Sequence, residues 1–482
     1  VTVRRAAAAA LAWLAGCTLI PHYTRPALPV SASYPAGAVY GTAPAGASPI
    51  GALPVGALPA AADIGWRRFF ADPALQELIG LSLQNNRDLR VDVLNVLSAR
   101  ATYRLDHANL FPTVEATAEG EFEREPPALT GGFGTFHINT YSLGLGVASY
   151  ELDVFGRLRS LARLAREQYL SAADTRQAMQ ISLIAQVAST YLSWLADRET
   201  IRLSRDTAAA QQRAYDLRLL TLQHGSGTAL DVAQAESSLR TAEASLAQST
   251  RQEAQDMDEI VLLVGAPLPA DLLARMQAQT DLNAQPPFPE LPAGLPSDLL
   301  TRRPDVRAAE HTLLAANANV GAARAAFFPS VVLTGSGGTA AGTLGQLFAA
   351  GTASWAFQPQ ISVPIFDEGK NFANLDLARI EKRVEIAEYE KAIQSAFHDV
   401  ADALAARTTY ADQLAAEQRL VDADERYYRL SQMRFRAGVD SSLSVLVAQN
   451  ALFSAQLDLV SLRLAERQNL VTLYKVLGGG WK

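Results

Sequence analysis

Glu115, Glu119, Glu121 and Glu123 lie at odd positions of the segment Thr113 to Glu123, while Val114, Ala116, Ala118 and Phe122 occupy the even ones. In an extended chain this alternation puts four carboxylates on one face and apolar side chains on the other. Four carboxylates on one face require water there, so the segment has one wet and one apolar side. Nothing else in the chain joins them into acid–base chemistry. The histidines His22, His107, His137, His224, His311 and His398 share no metal-ligand spacing. Met179, Met257, Met276 and Met433 are too scattered for a soft-metal relay. No Walker-type lysine loop occurs, and Gly478-Gly479-Gly480 follows a helical pattern as a terminator would. No nucleophile and base form a coherent constellation. The expectation is a chain that is not an enzyme and holds neither metal nor cofactor.

Cys17 is the single cysteine, which excludes an intramolecular disulfide framework and a four-cysteine zinc module. Arg4 and Arg5 precede an apolar run from Ala6 to Ala15, and the run ends in Leu14-Ala15-Gly16-Cys17. A charged start, a short apolar middle and small residues at the cut make a secretory signal. The run is far below the roughly 18 apolar residues needed to span a bilayer. It resembles a lipoprotein signal, cut before Cys17, whose new terminal cysteine carries diacylglycerol and an N-acyl chain. Each buried methylene adds about 0.8 kcal/mol, so several chains anchor persistently. The alternative is an uncleaved apolar N-terminus with an incidental cysteine. Thr18 after the cysteine is compatible, by resemblance to bacterial sorting rules, with the outer membrane.

The 42 basic and 49 acidic residues give a formal charge of -7, which offers no basic field for nucleic acid. Apolar residues make up 49% and charged ones only 19%, enough for long packed helices but poor for a fully solvated surface. From Pro21 to Pro59 prolines recur among Gly, Ala and Ser, so no helix survives and the segment reads as an extended arm. Charged runs such as Glu381-Lys382-Arg383 and Asp422 to Arg426 read as solvated helix faces.

The body is duplicated. At an offset of 213 residues, Tyr215, Leu217, Leu222 and Gly225 fall on Tyr428, Leu430, Phe435 and Gly438, and the register holds to Val264-Gly265 over Leu477-Gly478. At an offset of 217, Asp88-Leu89-Arg90 lies over Asp305-Val306-Arg307, and Phe111-Pro112 over Phe328-Pro329. Each half reads as helix, two strands, very long helix, glycine turn and returning helix. Gly156 to Leu222 contains no proline or interior glycine, so one helix there would be about 100 Å long. Ile181, Ile184, Ala188, Tyr191 and Leu195 follow the coiled-coil spacing. Gly225, Gly227 and Gly438 supply the backbone freedom for the reversals. Asp231 and Asp440 then sit near the start of a returning helix, either as caps of its free N–H groups or as acids exposed at a tip or narrow mouth.

The other strands alternate too. Tyr141, Leu143, Leu145 and Val147 oppose Ser142, Gly144, Gly146 and Ala148; Trp355, Phe357, Ile361 and Val363 oppose Ala356, Gln358, Gln360 and Ser362. A sandwich strand with one wet face has the same pattern as a membrane barrel strand. Four strands, however, cannot sit in lipid as an open sheet, because the edges would leave hydrogen-bonding groups unsatisfied. Several chains must then close the sheet together.

In order and spacing, Leu14-Ala15-Gly16-Cys17, Pro21, Tyr23, Arg25-Pro26, Trp66, Phe69, Asp72-Pro73, Arg302-Arg303-Pro304-Asp305, Pro364-Ile365-Phe366, Arg434-Phe435-Arg436-Ala437-Gly438 and Leu473-Tyr474-Lys475 resemble the TolC-like outer-membrane channel family, in its lipidated drug-efflux branch. The resemblance spans essentially the whole mature chain. It implies a mixed α/β membrane protein: a homotrimer whose 12-stranded transmembrane β-barrel is continuous with a long periplasmic α-helical barrel. It further implies an outer membrane of a Gram-negative cell, a periplasmic adaptor protein, and an inner-membrane pump of the resistance-nodulation-division type. Such a tube conducts drugs or other small toxic solutes passively, and Glu115, Glu119, Glu121 and Glu123 become lumen-facing acids that tolerate neutral and cationic solutes.

Members close the periplasmic mouth near the hairpin tips with an acidic and a basic residue in the last long helix. By position these are Val447 and Asn450 here, beside Leu443, so the sequence departs from the ionic pattern. An apolar ring at Leu443 and Val447, with Arg434, Arg436, Asp231 and Asp440 as polar locks, stands against plain helix packing. Gly225, Gly227 and Gly438 become hairpin turns in contact with the adaptor. The alternatives are a type I secretion exit duct, a metal-ion efflux channel, or a non-conducting lipid-anchored envelope scaffold.

The resulting plan is a signal at 1–16 and an acylated proline-rich arm at 17–64. The first repeat covers 65–265, with strands near 113–123 and 138–152, a long helix near 156–222 and a returning helix near 228–264. A linker and equatorial segment covers 266–295. The second repeat covers 296–478, with strands near 329–338 and 355–365, a long helix near 372–435 and a returning helix near 441–477, before a tail at 479–482.

Overall fold

After a single helical turn at Trp66–Phe69, Asp72 starts the first longer helix: its carboxylate accepts from the Ala74 N–H at 2.8 Å while Pro73 supplies a pre-set φ, giving α1 (Pro73–Asn85). Asn86 then accepts from the Leu89 N–H at 2.9 Å at the start of α2 (Arg87–Ala108). There follow β1 (Glu115–Glu125), β2 (Phe136–Leu152), α3 (Arg157–Gln223), α4 (Ala229–Val264), α5 (Ala270–Ala278), α6 (Pro304–Ala325), β3 (Ser330–Ala341), β4 (Ala353–Ser362), α7 (Lys370–Arg436) and α8 (Ser442–Val476). This is a computed structural model describing residues 18–35, 37–40, 60–126, 128, 131, 134–291 and 302–481. The signal and the expected lipid site Cys17 lie outside the described residues.

The two long helices have 67 residues each and start alike. Gly156 (φ 78°) and Gly369 (φ 83°) turn the chain in a conformation that side chains resist, and an aspartate caps each helix. Asp153 accepts from the N–H groups of Leu158 and Arg159, and Asp367 accepts from those of Gly369 and Asn371. The two returning helices also finish alike. A Cβ on Gly265 would lie 2.7 Å from the Asn85 carbonyl oxygen, and one on Gly478 would lie 2.6 Å from that of Arg302. These are equivalent positions of the duplication, so both repeats close by the same glycine-to-carbonyl approach.

The chain divides into two units. One comprises residues 1–27, 95–173 and 308–390 and holds the sheet; the other comprises 28–94, 174–307 and 391–482 and holds the hairpin ends. In the first, Val320, Leu375 and Ala378 form a small core with Ala323 and Phe327. In the second, the Phe69 and Tyr474 rings stack at 4.0 Å and Phe69 also stacks on Phe288 at 5.1 Å. Tyr191, Trp194 and Leu195 are fully buried there.

The sheet is antiparallel in the order β1-β2-β3-β4. The register puts Ala116, Leu145, Gly337 and Trp355 on one face, with Val147, Gly335 and Phe357 alongside. Glu115, Gly146, Ser336 and Ala356 share the other face. A bulge between Val147 and Tyr150 shifts the register once. Most strand limits shift by a few residues from the sequence reading; among them, Val114 precedes β1, and β4 stops at Ser362, before Val363 and Pro364, which has no N–H to give a ladder.

Candidate functional site

Two places carry the candidate residues. On the sheet, Glu115, Glu119, Glu121 and Glu123 all belong to β1 and stand on one face, because the ladder to β2 runs unbroken from Glu115↔Gly146 to Glu125↔Phe136. The opposite face is apolar and bare within one chain: Trp355 is 82% exposed and Ile361 69%. β1 and β4 are both edges, so each leaves one row of backbone groups unpaired within the chain. One chain thus presents an apolar face, an acidic face and two open edges.

The second place is the end of the helical hairpins. Gly225 adopts φ 71° and Gly438 φ 72°, and both turns send later N–H groups back to a helix carbonyl. Ser226 and Gly227 donate to the Thr221 carbonyl at 3.0 Å, and Val439 donates to that of Arg434 at 3.0 Å. Gly227 has a different reason to lack a side chain: a Cβ would lie 2.8 Å from Thr221 Oγ1.

Asp231 closes a capping box. Its N–H donates to Thr228 Oγ1 at 3.2 Å, and its carboxylate accepts from the Thr228 N–H at 3.1 Å and hydroxyl at 2.6 Å. These bonds hold its carboxyl below the usual aspartate range. Asp440 departs from the expected capping position. The N-cap of α8 is Ser441, without a side-chain cap bond, and Asp440 takes Arg434 instead. Two charge-assisted bonds to a guanidinium outcompete a neutral N–H. They hold Asp440 low and push Arg434 up.

Leu443 and Val447 are about half exposed on α8. A groove of about 640 Å³ runs between the hairpins, lined among others by Arg213, Asp231, Phe435, Arg436 and Leu443. The Arg218 guanidinium lies over the Phe435 ring at 5.2 Å. Asn450 faces its own chain: it donates to Ser238 Oγ at 3.3 Å and accepts from Gln211 Nε2 at 3.4 Å. Gln211 is fully buried, so this polar step ties α8 to α3 and α4.

Sequence reasoning missed Gln211, Ser238 and Thr228. Only Thr228 carried a signal, since Thr-x-x-Asp before a helix is a capping-box pattern. It also left Arg303 without a role. Buried Arg303 donates to Asp305 at 2.6 Å, to Asp399 at 3.1 Å, and to the carbonyls of Ala396 and Val476. One guanidinium thus joins α6, α7 and α8. Among the described residues, no three His, Cys, Asp or Glu side chains converge as a metal site.

The profile of the family described as outer membrane efflux protein matches residues 78–266 and 295–479, one match per repeat. The toluene efflux pump outer membrane protein TtgC of Pseudomonas putida is 47% identical over 468 residues, covering 97% of this chain and 93% of that protein. The solvent efflux pump outer membrane protein SrpC of Pseudomonas putida is 45% identical over 472 residues, 98% of this chain and 97% of that protein. Among solved structures, the open state of the Neisseria gonorrhoeae MtrE outer membrane channel superposes with a TM-score of 0.85 at 39% identity, over 97% of this chain and 99% of that one. With both repeats matched and relatives aligned nearly end to end, the chain belongs to the outer membrane efflux protein family.

Proposed function

We infer that this protein is the outer-membrane exit channel of a tripartite efflux pump, a mixed α/β chain with a short membrane sheet and long periplasmic helices. It performs no catalytic step; solutes diffuse along it, and the pump supplies the energy. The observation that carries this is the open four-stranded sheet, with an apolar face bare on one side and carboxylates on the other. Lipid satisfies the first face, water the second, and neighbouring copies the two edges. Three copies give a barrel of twelve strands. The named relatives, a toluene pump protein and a solvent pump protein, favour small apolar organic solutes as cargo.

Lipid attachment at Cys17 is supported by the docking of the residues after it. Arg25 forms a two-bond pair with Glu310, Asn317 donates to the Pro21 carbonyl at 2.9 Å, and Arg324 donates to the Leu19 carbonyl at 3.3 Å. Ile20 fits where Gly321 has no side chain. The arm therefore runs along α6 with Leu19 at its last turn, just before β3. The adaptor and an inner-membrane pump of the resistance-nodulation-division type complete the assembly, the adaptor meeting the hairpin turns at Gly225, Gly227 and Gly438. Liposome swelling with neutral solutes tests the channel reading. Solute-dependent swelling supports it, and intact liposomes carrying correctly inserted protein would leave a non-conducting scaffold.

A further inference from the structure

Asp197 on α3 and Asp256 on α4 face each other within hydrogen-bonding reach. Their Oδ2 atoms are both buried, and neither has a donor. Asp256 Oδ1 is taken by Gln252 Nε2 at 3.2 Å. The adjacent Arg198 guanidinium lies over the Trp194 ring at 4.9 Å, donates through Nη2 to the Gln277 carbonyl of α5 at 2.8 Å and reaches Glu253 at 3.9 Å, while its Nε is buried without an acceptor. The other charged neighbours are acids, Glu253 and Glu259 of α4, the latter accepting from Gln186 of α3. Glu77 of α1 is paired with Arg275 of α5, and Arg463 of α8 turns to Glu199 at 3.7 Å. Two half-buried carboxylates whose Oδ2 atoms are buried without a donor repel each other when both are charged; a proton between them converts repulsion into a hydrogen bond.

We propose that Asp197 and Asp256 share one proton and form a latch that holds α3 against α4 in neutral or mildly acidic surroundings and loosens as the medium turns alkaline. Burial first, and then the Asp256 charge, push the Asp197 carboxyl up to about 7, and burial raises Asp256 as well. The titration belongs to the pair. Because the folded pair holds its proton where the unfolded chain has lost it, the latch's contribution is whole below the ordinary aspartate range. It declines as pH rises through about 7.

The duplication supplies an internal contrast. At the offset of 213, Asp197 and Asp256 correspond to Tyr410 and Asn469, so the second repeat has no carboxylate at either position. Asn469 donates to the Ala403 carbonyl at 3.0 Å. The carboxylate pair is therefore peculiar to the first repeat's hairpin, and the inference is independent of whether the protein conducts.

The test is hydrogen exchange, read by mass spectrometry, on the full chain extracted in detergent at pH 6 and pH 8 and corrected for intrinsic exchange rates. Peptides around Asp197 and Asp256 should lose protection about tenfold between the two, the ratio set by titration near 7. Those around Tyr410 and Asn469 should not change. Asp197→Asn, whose amide donates to Asp256 permanently, should remove the dependence; if it fails to fold, Asp256→Asn serves in its place. Equal protection of the wild-type first hairpin at both pH values overturns the latch, as does a loss in both hairpins alike.

Discussion

Arg434 and Asp440 clasp each other across the turn of the second hairpin, with Nε to Oδ2 at 2.6 Å and Nη2 to Oδ1 at 2.9 Å. Both belong to one chain, so the pair shapes the tip before any neighbour arrives. In the first repeat the capping box of Thr228 and Asp231 does the equivalent work, with a neutral threonine donating to the carboxylate in place of a guanidinium.

Removing the Arg434 partner should loosen that turn alone. Arg434→Ala is expected to raise hydrogen exchange of residues 434–442 several-fold while leaving residues 223–231 unchanged. The sign of the pH dependence follows from Asp440, whose folded carboxyl is held low by Arg434. The clasp persists above the ordinary aspartate range and is lost as pH falls through the lowered value. Exchange at the turn that does not respond to the substitution would show that Gly438 alone sets the turn.

Leu443 and Val447 are apolar and about half exposed, and we propose that they form the apolar constriction expected from the sequence. Val447→Gly or Leu443→Gly should raise the resting conductance in planar bilayers, since a wider and less apolar constriction wets more readily. Unchanged resting conductance in both variants would sink the apolar constriction. Asn450→Ala tests the polar tie instead: it leaves buried Gln211 without a partner and should loosen α8 from α3, read as faster proteolysis of the tip.

Arg303 has four partners on three helices and is almost fully buried. Arg303→Met strips Asp305 and Asp399 of their cation; because both carboxylates are nearly half exposed, water takes up part of the loss and the cost falls below the roughly 3–5 kcal/mol of a fully buried pair. The expected result is a clear drop in thermal unfolding temperature, partly recovered in Arg303→Lys, which restores charge but not the planar fork. A variant as stable as wild type would mean the two aspartates are solvated without it.

Gly265→Ala and Gly478→Ala should destabilise alike, because each new Cβ meets a carbonyl oxygen at the start of its repeat and each backbone has positive φ. A large effect in one and none in the other, measured by thermal unfolding, would contradict the equivalence of the repeats.

The features legible in the sequence were those with a short period or a local cause. Glutamates at alternate positions of β1 need only the strand's two-residue period to share a face, and Gly225 and Gly438 mark turns because few other residues take positive φ. The duplication fixed where the second copy of each element begins. What stayed hidden depends on how two helices are rotated about their axes. Gln211 meets Asn450 across 239 residues of chain, and Asp197 meets Asp256 only once α3 and α4 pair in one register. Between the two roles left open for Asp440 the sequence could not choose, as a helix start offers a free N–H but a nearby guanidinium binds a carboxylate more strongly.

The central claim is that copies of this chain close an acidic, water-filled cylinder through the outer membrane. The most direct test is the reversal potential of purified protein in planar bilayers under a KCl gradient, compared with a variant carrying Gln at Glu115, Glu119, Glu121 and Glu123. The account predicts discrete conductance steps with cation selectivity that weakens in the variant. Inserted protein without conductance steps, or selectivity indifferent to the four carboxylates, would contradict it.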